Sequence, residues 1–141
     1  IAETRQGLET LCCRLAAERR TDAHLVALAV ELDIQRDPAL SDVDFCASDV
    51  RFHRVLADAT DNALLKFIVL TVIDALQPVA NMVVYQFRER QRLVSQHESI
   101  LAALQARDAD SAIAALNEQI ADLGEKYAQA CTSRVRHNQS R

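Results

Sequence analysis

Glycine and proline are scarce: the 141 residues hold two of each. An all-β chain needs such residues at its many tight turns, so that class is excluded. Excess positive charge is also missing. The formal net charge is −4, and no segment resembles the basic recognition element of a nucleic-acid reader, so the chain alone is a poor polyanion binder. Cys12, Cys13, Cys46 and Cys131 include no C-x-x-C pair, unlike a zinc knuckle or a thioredoxin-type redox site. They read as buried thiols of a cytosolic protein. The start of the chain does not have the pattern of a signal peptide. The most apolar run, 63–76, contains Lys66 and Asp74 and is too short to span a bilayer, so it reads as a buried core helix and no membrane partner is expected. There is no G-x-S-x-G elbow, Gly-rich phosphate loop or H-E-x-x-H, and no Glu-x-x-His pair of the kind a di-metal bundle oxidase requires. An enzyme is not expected.

What is present favours helices. Half the residues are hydrophobic, and Ala, Leu, Gln, Arg and Glu abound. The length suits one domain with a sizeable core. A first helix is predicted over 2–20, with Leu8, Leu11, Cys12 and Leu15 as its apolar stripe and Arg5, Glu9, Arg14 and Glu18 largely outside it. Thr21 and Asp22 look like the start of a second helix. Asp37-Pro38 marks a loop over 33–40. A third helix is predicted from Ser41-Asp42 to Ala59, and Asn62 caps a fourth that is apolar nearly all round and therefore central. Pro78 should kink or end it. Arg88 to Arg92 reads as a solvated turn or helix face, followed by a helix over 93–106. The last helix opens at Asp108 and carries Ile113, Leu116, Ile120, Leu123 and Tyr127. Residues 132–141 lack a stripe and read as a flexible polar tail beyond a domain over 1–131. The expected architecture is all-α: one antiparallel bundle of six or seven helices with an interior ligand pocket.

Two polar residues break the inward face of the third helix. Asp49 and His53 lie one turn apart, among Phe45, Cys46, Phe52 and Leu56. A carboxylate and an imidazole so placed can chelate one metal ion, and a facing helix can add ligands. From spacing alone they also read as an ordinary helical pair worth about 0.2–0.5 kcal/mol. His97 lies in line with Leu93, Ile100, Leu101 and Leu104; taken alone, it reads as a core histidine. Arg5 is a candidate counter-charge for an anionic ligand or a solvated surface arginine. His24 and His137 read as surface residues.

The order of these segments is familiar. Glu3-Thr4-Arg5, Leu8-Glu9 and Leu15-Ala16-Ala17-Glu18-Arg19, then Asp49-Val50-Arg51-Phe52-His53, Asn62, and His97-Glu98-Ser99-Ile100-Leu101-Ala102-Ala103-Leu104 together resemble the FCD effector-binding domain of GntR-type transcription regulators of the FadR subfamily. The resemblance runs from Ile1 to about Tyr127. It implies a helical bundle in which Asp49, His53 and His97 hold a divalent metal (Zn, Ni or Mn) next to a small carboxylate effector. The family's last histidine should fall in Asn117-Glu118-Gln119-Ile120, where this chain has Gln119, a weaker donor that can instead bind the effector or a buried water. The family also contains metal-free members.

The expected function follows: a cytoplasmic, homodimeric bacterial sensor domain whose occupancy modulates DNA binding by a winged-helix domain outside this chain. The alternatives are a metal-free, TetR-like effector domain, a helical-bundle metalloenzyme and a purely structural dimerisation module.

Overall fold

A computed structural model describes residues 2–139. Six helices account for nearly all of them: α1 (Ala2–Arg19), α2 (Asp22–Gln35), α3 (Asp42–Asp58), α4 (Ala63–Phe87), α5 (Arg90–Gln105) and α6 (Ala109–Gln139). No strand occurs among the described residues. The expected all-α bundle is therefore observed, with six helices.

The expected caps form. Thr21 Oγ1 accepts from the His24 amide, Ser41 Oγ from Asp44, Asn62 Oδ1 from Leu65 and Asp108 Oδ1 from Ser111. His24 also returns its Nδ1 to the Thr21 amide and sits near Asp58, so it is a half-buried capping residue rather than a free surface one. The side chain of His137 lies outside the described residues. With so little glycine, three turns place other residues in the left-handed region: Asp61, Arg88 and Arg107, at φ 48°, 53° and 55°. Each costs about 1 kcal/mol, which the surrounding contacts must offset.

Short links make the helices alternate in direction, so α1, α3 and α5 end at one pole of the bundle. Arginines tie that pole together through helix-end carbonyls. Arg20 donates to the carbonyls of Leu104 and Gln105, Arg107 to those of Ala17 and Glu18, and Arg19 to that of Thr60. Carbonyls at helix ends are short of backbone donors, and the guanidinium groups add them.

Four expectations need correction or narrowing. First, α1 and not α4 is the central helix. It packs against α3, α4, α5 and α6 and buries Cys12, Cys13, Ala16 and Ala17, small side chains that let its neighbours approach. Its inward face is turned from the predicted stripe, so Leu11 is exposed while Arg5 and Glu9 are buried. Second, α4 buries Leu65, Val69, Ile73 and Val84 but leaves Leu64 and Phe67 each 70% exposed. It forms a wall, tied to α3 by the Lys66–Asp58 and Arg54–Asp74 pairs. By length and composition alone this helix could cross a membrane. Third, of the two outcomes expected at Pro78, α4 does not end there but continues to Phe87. Pro78 and Asp74, whose carbonyl loses its donor, both lie on the exposed side, where solvent replaces the missing bond. Fourth, α6 continues to Gln139. Thr132 and Ser133 donate back to the carbonyls of Ala128 and Gln129, and the side chains over 131–136 are exposed. Residues 132–136 thus lie on a solvated helical extension, and Ser140 and Arg141 lie outside the described residues.

The core is built on Phe45, Phe52, Leu28, Leu32, Leu56, Ile100, Leu104 and Leu116, all essentially inaccessible. Cys12, Cys13 and Cys46 are buried, but Cys131 is exposed, against expectation, because it lies on the solvated part of α6. Burial, reinforced by Glu9, pushes the Cys12 thiol up to about 12, and burial with Asp49 and Asp42 nearby pushes Cys46 up to about 11. At pH 8 a disulfide reagent should therefore titrate one fast thiol per chain, Cys131, and reach the other three only in denaturant. A second fast thiol in the native protein would contradict this packing.

Candidate metal centre and its adjoining pocket

The i,i+4 spacing on α3 sends Asp49 and His53 inward together, and the facing turn of α5 brings His97 to them. Asp49 Oδ1 lies 3.2 Å from His97 Nε2 and 3.6 Å from His53 Nε2. One ligand atom from each residue falls within 4.8 Å of the others, and this is the one such cluster of metal-binding side chains among the described residues. Tetrahedral coordination at about 2.1 Å requires donor-to-donor edges of about 3.4 Å, so the spacing fits a transition metal.

The outer nitrogens fix what the inner ones do. His97 Nδ1 donates to Gln35 Oε1 at 2.8 Å, because Gln35 Nε2 is already committed to Ser48 Oγ at 3.1 Å. Ser48 in turn donates to Glu31 Oε2 at 2.7 Å, and Arg51 donates to the other oxygen of Glu31 at 2.8 Å. His53 Nδ1 lies 3.0 Å from Glu9 Oε1, off the ideal hydrogen-bond line, and Glu9 Oε2 is held by Arg5. With its outer nitrogen donating to Gln35, His97 points the Nε2 lone pair inward, and His53 does the same when its ring is neutral. The His97 ring is further held by Phe52, stacked at 4.2 Å between centroids and 19° between planes.

Charge follows from these contacts. Burial opposes ionisation of Asp49, but the close approach of His97 and His53 holds it down to about 2. Glu9 is likewise lowered against its burial by His53 and Arg5. Burial dominates at His97 and lowers it, whereas at His53 the two carboxylates outweigh burial and raise it. Among the described residues, Asp49 Oδ1 and Gln119 Oε1 are buried with no hydrogen-bond partner. A donor set of two imidazoles and a carboxylate, with an orphaned oxygen on each flank, fits a divalent cation.

Beside the cluster lies a pocket of about 600 Å³, open mouth included. Arg5, Asp49 and Gln119 reach it from the cluster; α4 supplies Val83, Val84 and Phe87. At its rim stand the Lys126–Glu89 pair at 2.9 Å and the Arg92–Asp122 pair. Only about 60 Å³ of that space is cavity proper, room for a few waters or a very small ligand.

Residues 1–122 match the FCD domain family. The chain belongs to that family. It is an FCD domain of the GntR class of regulators. It is 33% identical over 124 residues to the HTH-type transcriptional repressor NanR of Cronobacter sakazakii and 34% identical over 120 residues to NanR of Citrobacter rodentium, in each case covering 84% of this chain and 46% of the relative. The FCD chain thus spans less than half the length of these relatives. Among solved structures, E. coli McbR/YncC has the same fold, with a TM-score of 0.76 at 18% identity over 90% of this chain and 66% of that one.

The structure brings Asp49, His53, His97, Gln119 and Arg5 to one place. Sequence reading missed Glu9, Gln35, Ser48 and Glu31, the outer groups that orient the two imidazoles. Glu9 carried one usable signal: it stands one turn from Arg5, and such a pair turned inward must be satisfied inside. Replacing Glu9 with Ala strands Arg5 and His53 in the interior, and urea unfolding should show a loss of about 3–5 kcal/mol. A loss below about 1 kcal/mol would mean the pair behaves as a solvated surface contact.

Proposed function

We propose that this FCD domain is a metabolite sensor in which Asp49, His53 and His97 hold a divalent cation that anchors a small organic acid in the adjoining pocket. The observation that carries this reading is the convergence of three inward donors with orphaned oxygens at the floor of a cavity. With both imidazoles neutral, two carboxylates against the Arg5 guanidinium leave the cluster one negative charge. A divalent cation reverses that sign, and a bound carboxylate neutralises it. Arg5 and Gln119, both on the pocket wall, are the proposed effector contacts. A cation held by these three residues would orient a carboxylate ligand for Arg5 and Gln119 to contact, and the family match favours a regulatory role over turnover. The family match favours this reading over a TetR-like domain.

Protein purified without chelator or nickel resin should carry or take up about one divalent ion per chain, lost in Asp49→Ala. A panel of small carboxylates should raise the Tm of the metal-loaded form by several degrees and leave the chelator-treated form unchanged. No metal uptake at micromolar concentration, or equal carboxylate shifts with and without metal, overturns the proposal.

The domain works in the bacterial cytoplasm as a homodimer, coupled to a winged-helix reader carried elsewhere in the protein. Pairing suits readers that meet a near-palindromic operator, and effector binding acts by favouring one arrangement of the pair. The outward face of α4 supports the dimer. Leu64, Phe67, Thr71, Ala75 and Pro78 follow one another at three- and four-residue steps, all exposed. The single charge beside them, Asp74, is engaged by Arg54 at 3.1 Å. An antiparallel pairing about a two-fold at Thr71 sets each Phe67 against the partner's Ala75 and each Leu64 against the partner's Pro78, large against small. Phe67→Glu should convert a dimer to a monomer in light scattering at micromolar concentration. A variant that stays dimeric would move the interface elsewhere.

A further inference from the structure

Gln119 occupies the position from which a fourth ligand would reach the cluster, and it is already engaged. Its Nε2 lies 3.0 Å from His97 Nε2 and 3.4 Å from His53 Nε2. An amide nitrogen can only donate. His97 has spent its one N–H on Gln35, so its Nε2 accepts from Gln119. The lone pair that a cation needs on His97 is therefore covered by an amide hydrogen, and the second amide hydrogen lies within longer reach of His53. The other end of the same amide, Oε1, is buried without a partner, as is Asp49 Oδ1.

We propose that Gln119 is a two-position latch on the metal site. In the metal-free domain its nitrogen end caps His97. When a divalent cation enters, the amide turns over and offers its oxygen end as a fourth donor. The inference rests on the metal reading above and concerns this chain's own residue.

Two consequences follow. The cation must displace an existing hydrogen bond, so metal-free protein stays folded with its imidazoles satisfied, and the ion exchanges readily. A neutral amide oxygen also adds less affinity for zinc or nickel than an imidazole would, while it suits manganese, so selectivity for the softer ions is reduced. The turned-over amide directs its N–H groups to where Oε1 now lies. Because Gln119 lines the pocket, those hydrogens become available to an effector oxygen. One side chain then couples the two occupancies.

The test compares wild type with Gln119→His and Gln119→Met, using competition with a chelating dye and thermal unfolding of chelator-treated protein. Gln119→His should bind zinc about tenfold tighter or more, with a smaller gain for manganese. Gln119→Met lacks the amide, so its metal-free form should melt several degrees lower and its manganese affinity should fall. In wild type labelled with nitrogen-15, the Gln119 side-chain amide signals should move on zinc loading. Equal zinc affinity in wild type and Gln119→His, or Gln119 signals that stay in place as zinc binds, overturns the latch while leaving the metal site standing. Failure of every form to bind metal sinks the site and the latch together.

Discussion

Two outward contacts, one on each imidazole, set the chemistry of this domain. An imidazole has two nitrogens, and whichever one meets an acceptor keeps the proton. Glu9 faces the outer nitrogen of His53, and Gln35 faces that of His97. The inner nitrogens are left as bases aimed at the Asp49 carboxylate. Without these outer partners the same rings could present N–H groups inward, and the cluster would be three side chains in proximity with no shared purpose. Arg5, Ser48, Glu31 and Arg51, on α1, α2 and α3, extend the constraint outward to the bundle surface; the direct partners, Glu9 and Gln35, lie on α1 and α2.

The fold serves that constraint. α3 places Asp49, Phe52 and His53 within little more than one turn, and each does something different. Asp49 and His53 face the cluster, while Phe52 stacks on the His97 ring delivered by α5. α1 runs through the middle with small side chains next to Glu9, which lets a carboxylate sit deep without opening a void. α4 stands aside from the cluster and closes the pocket with Val83, Val84 and Phe87. The helices that build the core thus also line the pocket, and α4 adds its outer wall.

Much of this was legible in the residues. Caps at Thr21, Ser41, Asn62 and Asp108 marked the helix starts, because such side chains act locally and need no tertiary context. The apolar neighbours of Asp49, His53 and His97 announced that these groups are buried. Other features were not legible, for physical reasons. Arg5 and Glu9 look solvent-seeking one at a time and become an interior pair only when a third charge, His53, arrives from another helix. Gln35 sat in a stretch read as loop, since Asp37-Pro38 ends α2 only after its last turn is complete. α4 looked central because its composition is apolar on every side, and composition cannot tell a core from a surface left open for another molecule. Pro78 left a kink and an end equally open, because the pattern does not show which side of the helix faces solvent.

The arginine contacts at one pole have a mechanical meaning. Arg19, Arg20 and Arg107 fasten the ends of α1, α3 and α5 to one another, at the pole opposite the pocket mouth. At the mouth, α4 passes to α5 through left-handed Arg88 and through Glu89, whose side chain makes no capping bond. The molecule is pinned at its base by arginines on main-chain oxygens, while the mouth is latched by charge pairs between side chains, Lys126 with Glu89 and Arg92 with Asp122, which water can loosen.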